Sequence, residues 1–230
     1  MIKGKLIVIE GTDGCGKQTQ TDYLYKNLIN LGLKVAKISF PNYNSPACEP
    51  VKMYLNGEFG KNEDVNIFAS SSFFAIDRYA SFKSDWEKLY NEGYIIIADR
   101  YTISNIIHQA NRIDDENKFM EYNNWLIDLE WNKFALPKPN LMILLDMPYK
   151  FSNKILKNRK NKIDGSSTKD ILEADEEQKK RAYTVAIKIA KLYDMKIVNC
   201  IDASSLRSIN DIQKDIMKFV KEEILVWYKF

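Results

Sequence analysis

Histidine is nearly absent from this chain. His108 is the single one among 230 residues, and no Ser-His-Asp or Cys-His arrangement stands out. Cysteine is scarce as well. Cys15, Cys48 and Cys200 lie far apart and form neither a CxxC pair nor a Cys/His cluster, so neither a metal site nor a disulfide framework is suggested. Long hydrophobic runs are missing. The apolar stretch in the N-terminal MIKGKLIVIEG is about six residues, too short for a signal peptide or a membrane span. The C-terminal ILVWYKF is also short. The expectation is a cytoplasmic protein with no membrane partner. Nor is there a large excess of one charge: the net charge of +3 is too small to imply a nucleic-acid partner.

What is present describes an ordinary globular chain, 45% hydrophobic and 28% charged, long enough for a sizeable core. No repeat or low-complexity linker divides it, so residues 1–230 are expected to form one domain. Short apolar runs predict parallel strands at Leu6–Ile9, Val35–Phe40, Tyr94–Ala98, Leu141–Leu145 and, more weakly, Lys196–Cys200. Helical patterns fall at Thr19–Leu31, Asp64–Tyr90, Thr102–Ala110, Glu116–Lys133, Ile171–Tyr193 and Ile209–Trp227. Strands alternating with helices predict an α/β fold with a parallel, five-stranded, twisted sheet flanked by helices. In such sheets ligands bind beyond the carboxyl ends of the strands. One segment is unusual. Lys150–Lys162 carries Lys150, Lys154, Lys157, Arg159, Lys160 and Lys162 without an acid, and Gly165–Thr168 follows. It reads either as a solvated helix end or as a basic lid, about residues 150–170, closing over phosphates.

Gly11-Thr12-Asp13-Gly14-Cys15-Gly16-Lys17 follows the first strand and opens a helix. This is the P-loop pattern in the setting it requires. Its glycines let backbone N–H groups turn toward phosphates, and the helix N-terminus favours their charge. Lys17 is placed to reach the β- and γ-phosphates of ATP. The next position should be a Ser or Thr that ligates Mg²⁺. Here it is Gln18, with Thr19 one residue late, so Gln18 is a weak metal candidate. Asp99 ends the run Ile95–Ala98, where an acid holds Mg²⁺ or its water shell; a helix N-cap is the plainer role. Arg100 follows Asp99, with a fork that suits bidentate phosphate binding across two phosphates; a surface salt bridge is the plainer role.

With these motifs in order, the sequence resembles the thymidylate kinases, a family of P-loop nucleoside monophosphate kinases. Glu10–Gln20 resembles that family's P-loop, including Asp13. Phe40–Tyr43 resembles its Phe-Pro segment, Phe74–Arg78 its base-binding helix and Asp99–Tyr101 its Asp-Arg-Tyr/His motif. Leu136–Asn140 and Asp202-Ala-Ser also match, so the likeness covers nearly the whole chain. The resemblance implies a P-loop, three-layer fold that transfers the γ-phosphoryl group of ATP to dTMP with Mg²⁺, as a homodimer. It implies that Phe74, or Phe73 as its rival, stacks on thymine. Arg78 then bonds the base's carbonyl edge, and Asp13 accepts from the 3′-hydroxyl. Phe40, Pro41, Tyr43, Ser104 and Asn105 are implied around the acceptor. His108 is implied to pack against the deoxyribose C2′, unless it is purely structural. Tyr43 stands where many members carry Arg. Adenine is implied near Asp202–Ser204, with Ala203 against it. The P-loop itself holds no Arg, so the resemblance places the remaining cation in the lid: Arg159 first, then Lys160 or Lys162.

No general base is needed for this reaction, because a phosphomonoester is mostly a dianion at neutral pH. Two other functions fit part of the pattern. A deoxynucleoside kinase would need a base, with Glu10 or Asp13 as candidates. A nucleotide-binding regulatory protein would bind without turnover. Cys15 is expected to be reactive, since a helix N-terminus and Lys17 lower thiol pKa values, unless it turns into the core.

Overall fold

The computed structural model describes residues 3–156, 176–203 and 205–227. Among them a five-stranded parallel sheet forms from β1 (Lys5–Glu10), β2 (Val35–Ser39), β3 (Ile95–Asp99), β4 (Leu141–Asp146) and β5 (Lys196–Asn199), in the order β2-β3-β1-β4-β5. The register places Ile9 beside Asp99 on one side and beside Ile143 on the other. Strands β1 and β3 are buried on both faces, which is why they read as unbroken apolar runs. Strand β2 is the sheet edge. Its burial alternates, and Lys37 stands exposed on it, as edge strands require.

Helices pack on both faces. α1 (Lys17–Asn30) and α9 (Ile209–Glu223) cover Ile7, Ile9, Ile143 and Leu145 with Leu24, Leu28, Ile212 and Ile216. α5 (Thr102–Gln109), α6 (Glu116–Ile127) and α8 (Glu176–Leu192) form a second cluster against Leu144. Leu6, Val8, Ile96 and Ala98, pointing to the opposite face, meet Phe82 and Trp86. The expected helix Asp64–Tyr90 is a composite. It runs as α3 (Ile67–Ser81), a π-helical stretch Phe82–Trp86 and α4 (Glu87–Asn91). Likewise α6 continues into π-helical Asp128–Lys133. α3 starts where Asn66 accepts from the Phe68 and Ala69 N–H groups, a side-chain N-cap.

Two pieces were not anticipated. α2 (Glu49–Leu55) follows a 3₁₀ turn at Pro46–Cys48. β6 (Ile201–Asp202) and β7 (Ser205–Leu206) form a small antiparallel hairpin. Of the basic segment, α7 (Tyr149–Leu156) is described, with Lys150 exposed. Arg159, Lys160, Lys162 and Gly165–Thr168 lie outside the described residues. No described helix is long and apolar enough to cross a membrane.

Candidate active site

The loop between β1 and α1 is shaped by its glycines. Gly11 has φ +150°, and a Cβ there would lie 2.6 Å from the Cys15 sulfur. Gly16, with φ 89°, precedes α1 in the left-handed region and offers no side-chain cap. The first N–H groups of α1 are thus left to an anion. Lys17 is buried. Its Nζ donates to the carbonyls of Gly11 (2.9 Å) and Thr12 (2.8 Å). A cavity of about 400 Å³ opens over this loop, lined by Asp13 to Gln20 and by Asp99, Arg100, Met147, Leu206 and Arg207 among others. Gln18 is exposed and Thr19 half-buried there.

Asp99, the last residue of β3, is buried and lines the same cavity. Arg100 follows it in the left-handed region, φ 71°, a conformation that costs a non-glycine residue energy and clusters at functional sites. Its Nη2 donates to Asp13 Oδ1; Nη1 meets Ser104 Oγ at 3.3 Å and His108 Nε2 at 2.8 Å. Burial disfavours the guanidinium charge, but Asp13, Asp99 and Glu10 more than offset this. Beneath Arg100, Glu10 is fully buried. Its Oε1 accepts from the Tyr101 N–H (2.8 Å) and its Oε2 from Ser104 Oγ (2.6 Å), while burial pushes its carboxyl pKa up. Both general-base candidates, Glu10 and Asp13, are therefore engaged by protein partners.

α3 and α5 form a second wall. Phe74 is half-buried and edge-on to Tyr54, with ring centres 6.2 Å apart; its neighbour Phe73 packs on Phe59. Asn105 donates to the Ser71 carbonyl at 3.0 Å. Arg78 is 1% exposed. Its Nε and Nη2 bond the two oxygens of Glu130 at 2.7 and 2.6 Å, and Thr102 Oγ1 donates to the same carboxylate at 2.8 Å. Among the described residues Nη1 is the guanidinium nitrogen without a protein partner. Pro41 and Tyr43 are half-buried beside this wall, and the Asn42 N–H donates to buried Asp77 at 2.9 Å.

Other expected residues are held by the protein itself. The Phe40 ring is buried against Tyr101 in the core. The Ser104 hydroxyl is committed to Glu10 and Arg100. Ala203 sits exposed on the β6–β7 turn and does not line the cavity. Leu206, Arg207 and Ile209 line it instead. Arg207 is braced by the Asn199 carbonyl (2.7 Å) and Asp215 (2.8 Å). Its signal in the sequence is a cation just past the fifth strand, immediately before the Ser208 that caps α9.

Cys15 is also corrected. Its side chain turns into the core, filling the space left by Gly11, and burial pushes its thiol pKa up despite Lys17. Cys48 and Cys200 are buried too, the former pushed up to about 12. Reaction requires the thiolate and access. All three thiols are therefore expected to alkylate at least ~10²-fold slower in the folded protein than in denaturant, with or without ATP. Mass-spectrometric labelling checks this; fast Cys15 labelling that ATP suppresses would restore the reactive-thiol reading.

No three His, Cys, Asp or Glu side chains among the described residues converge as a metal cage. The donor set nevertheless suits Mg²⁺. That ion usually takes one or two carboxylates plus substrate phosphates and waters, and Asp99 is a carboxylate lining the cavity over the P-loop.

Comparison with known proteins agrees with this geometry. The thymidylate kinase family model matches residues 9–216. A probable thymidylate kinase of Pyrococcus horikoshii is 32% identical over 225 residues, covering 97% of this chain and 99% of the relative. A thymidylate kinase of Mycobacterium tuberculosis is 30% identical over 187 residues, covering 80% and 85%. Among solved structures, the thymidylate kinase of Candida albicans shares the fold, with a TM-score of 0.67 at 24% identity over 96% of this chain and 92% of that one. A P-loop lysine, an Asp-Arg pair beyond β3 and a family match spanning most of the chain lead to one conclusion: the chain belongs to the thymidylate kinase family.

Proposed function

We propose that this enzyme transfers the γ-phosphoryl group of ATP to dTMP, giving dTDP and ADP. The observation that carries the reading is the convergence of Lys17, Asp99 and Arg100 on one cavity, with α5, which meets Arg100 through Ser104 and His108, packed on the helix that carries Phe74 and Arg78. An oxygen of the dTMP phosphate attacks the γ-phosphorus. That bond forms as the bond from the γ-phosphorus to the β–γ bridging oxygen breaks, and the electron pair leaves on ADP. The attacking dianion has no proton to lose. Catalysis is then positioning and charge stabilisation.

Each residue has a task. Lys17 exchanges the Gly11 and Thr12 carbonyls for phosphate oxygens. The P-loop N–H groups hold the donor. Arg100, anchored by Asp13, spans donor and acceptor phosphates. Phe74 stacks on the thymine and the Arg78 Nη1 group bonds its carbonyl edge, with Asn105 on the same wall. Arg207 and Leu206 flank the adenine. Arg159 supplies the lid cation. Mg²⁺, held by Asp99 and the phosphates with Gln18 at its water shell, supplies further charge neutralisation when bound.

We place the protein in the cytoplasm as one kinase domain, paired with a second copy. The exposed apolar residues of α3, Phe68, Ile76 and Tyr79, support such pairing. ADP formation from ATP across a panel of nucleoside monophosphates and nucleosides is the test. The expected result is turnover with dTMP and at least ~10-fold lower kcat/KM with thymidine, since the two base candidates, Glu10 and Asp13, are engaged by protein partners. Phosphorylation of thymidine but not dTMP would select the nucleoside kinase. Absence of ADP with every acceptor would select a binding protein.

A further inference from the structure

The guanidinium of Arg100 sits among three acceptors from two elements: Asp13 of the P-loop, and Ser104 and His108 of α5. Residues 100, 104 and 108 follow one another at four-residue spacing. Ser104 and His108 therefore share one face of α5, and that face looks at Arg100. An arginine only donates. A contact of 2.8 Å from Nη1 to His108 Nε2 therefore requires Nε2 to carry a lone pair and the ring proton to sit on Nδ1. A protonated imidazole would present a second donor to a cation.

We propose that His108 is a positioning residue, a neutral acceptor that together with Asp13 and Ser104 fixes the Arg100 guanidinium between donor and acceptor. This rests on the kinase reading for its kinetic consequence and on geometry alone for the contact itself. Two observations support it independently. Arg100 begins in a left-handed backbone conformation, so its side chain leaves the sheet at an unusual angle and needs anchoring at its far end. Burial, and then the charges of Arg100 and Lys17, outweigh Asp13 and push the ring's pKa down to about 3. The ring consequently stays neutral over the working range. Among the described residues, the other polar groups lining the small cavity beside it are Thr12 and Asn111, Tyr149 and Ser152 of α7, and Gln178 and Lys179 of α8; apart from Asp13, none of the cavity's residues is an acid that would draw a proton onto it.

His108 is the chain's single histidine, so its ring signals in a nitrogen-15 spectrum are unambiguous. The empty protein tests the contact whatever the acceptor proves to be. The expected spectrum shows the Nδ1–H tautomer with no titration between pH 5 and 8. The Nε2–H tautomer, or titration near the ordinary ~6.5 of a free histidine, overturns the proposal. The kinetic arm uses two variants. His108→Gln keeps an acceptor oxygen near the Nε2 position, and His108→Leu removes it. A hydrogen bond to a charged group corresponds to roughly 10- to 10²-fold in rate. His108→Leu is thus expected to lower kcat at least ~10-fold with the KM for ATP within ~3-fold, and His108→Gln to recover most of the loss. Full activity in His108→Leu, or equal loss in both variants, overturns the positioning role. If wild-type protein phosphorylates no acceptor, the kinase reading fails while the spectrum still decides the contact.

Discussion

Replacing Lys17 by alanine lowers kcat by at least ~10²-fold, and Arg100→Ala does the same. Both side chains line the cavity over the P-loop, where on the proposed reading charge builds on the transferring phosphoryl group. Removing a preorganised donor of this kind costs roughly 10²–10³ in rate. The two variants should differ elsewhere. Among the described residues Lys17 rests on main-chain carbonyls and a thiol, which water can serve once the side chain is gone. Arg100→Ala removes the guanidinium that pairs with Asp13 Oδ1 and donates to His108. It should cost stability as well as rate. Arg100→Lys is not a repair, because an ammonium cannot reproduce a planar fork. Steady-state kinetics with dTMP and thermal melts of each variant check the pair of claims. Turnover within a few-fold of wild type in Lys17→Ala would remove that residue from the chemistry.

Glu130→Ala is expected to be the most destabilising single substitution in the acceptor wall. Glu130 is 0% exposed and Arg78 1%, so deleting the carboxylate strands a cation in the interior. Breaking a buried pair from one side costs about 3–5 kcal/mol. For a domain of this size that corresponds to roughly 6–20 °C in Tm. The double substitution Arg78→Met/Glu130→Leu removes both charges and should recover much of the loss, since such pairs contribute little net stability. It should still raise the KM for dTMP, because on the proposed reading Arg78 bonds the base. This pattern would show that the pair is there for recognition. A Tm for Glu130→Ala within ~2 °C of wild type would show instead that water reaches Arg78.

These two sites differ in how visible they were beforehand. The P-loop was legible because its glycines answer a backbone demand, and Gly11-x4-Gly16-Lys17 sits between an apolar run and a helix. Asp99 and Arg100 were legible by place, at the carboxyl end of β3. The Arg78–Glu130 pair was not: its partners lie 52 positions apart on different elements, and no local pattern links them. The β6–β7 hairpin was missed because two-residue strands carry no periodicity. Cys15 misled because its helix-terminal address suggested a thiolate, whereas the missing side chain at Gly11 makes room for it in the core. The burial of the Phe40 ring was not legible from its motif, since the ring continues the packing of the sheet beyond β2.

The sheet order has a consequence for how the protein is made. β1 has no strand neighbour close to it in sequence: its partners are Ile95–Asp99 and Leu141–Asp146. The phosphate loop is therefore synthesised well before both partners of its supporting strand, which cannot be paired on both sides until about residue 146 has followed. At 5–20 residues per second that interval is on the order of 10 s. Long-range parallel pairing of this kind folds slowly once it begins. The nascent segment Leu6–Ile9, wholly apolar and awaiting two distant partners, is accordingly a stretch where chaperone cover during synthesis is expected to matter.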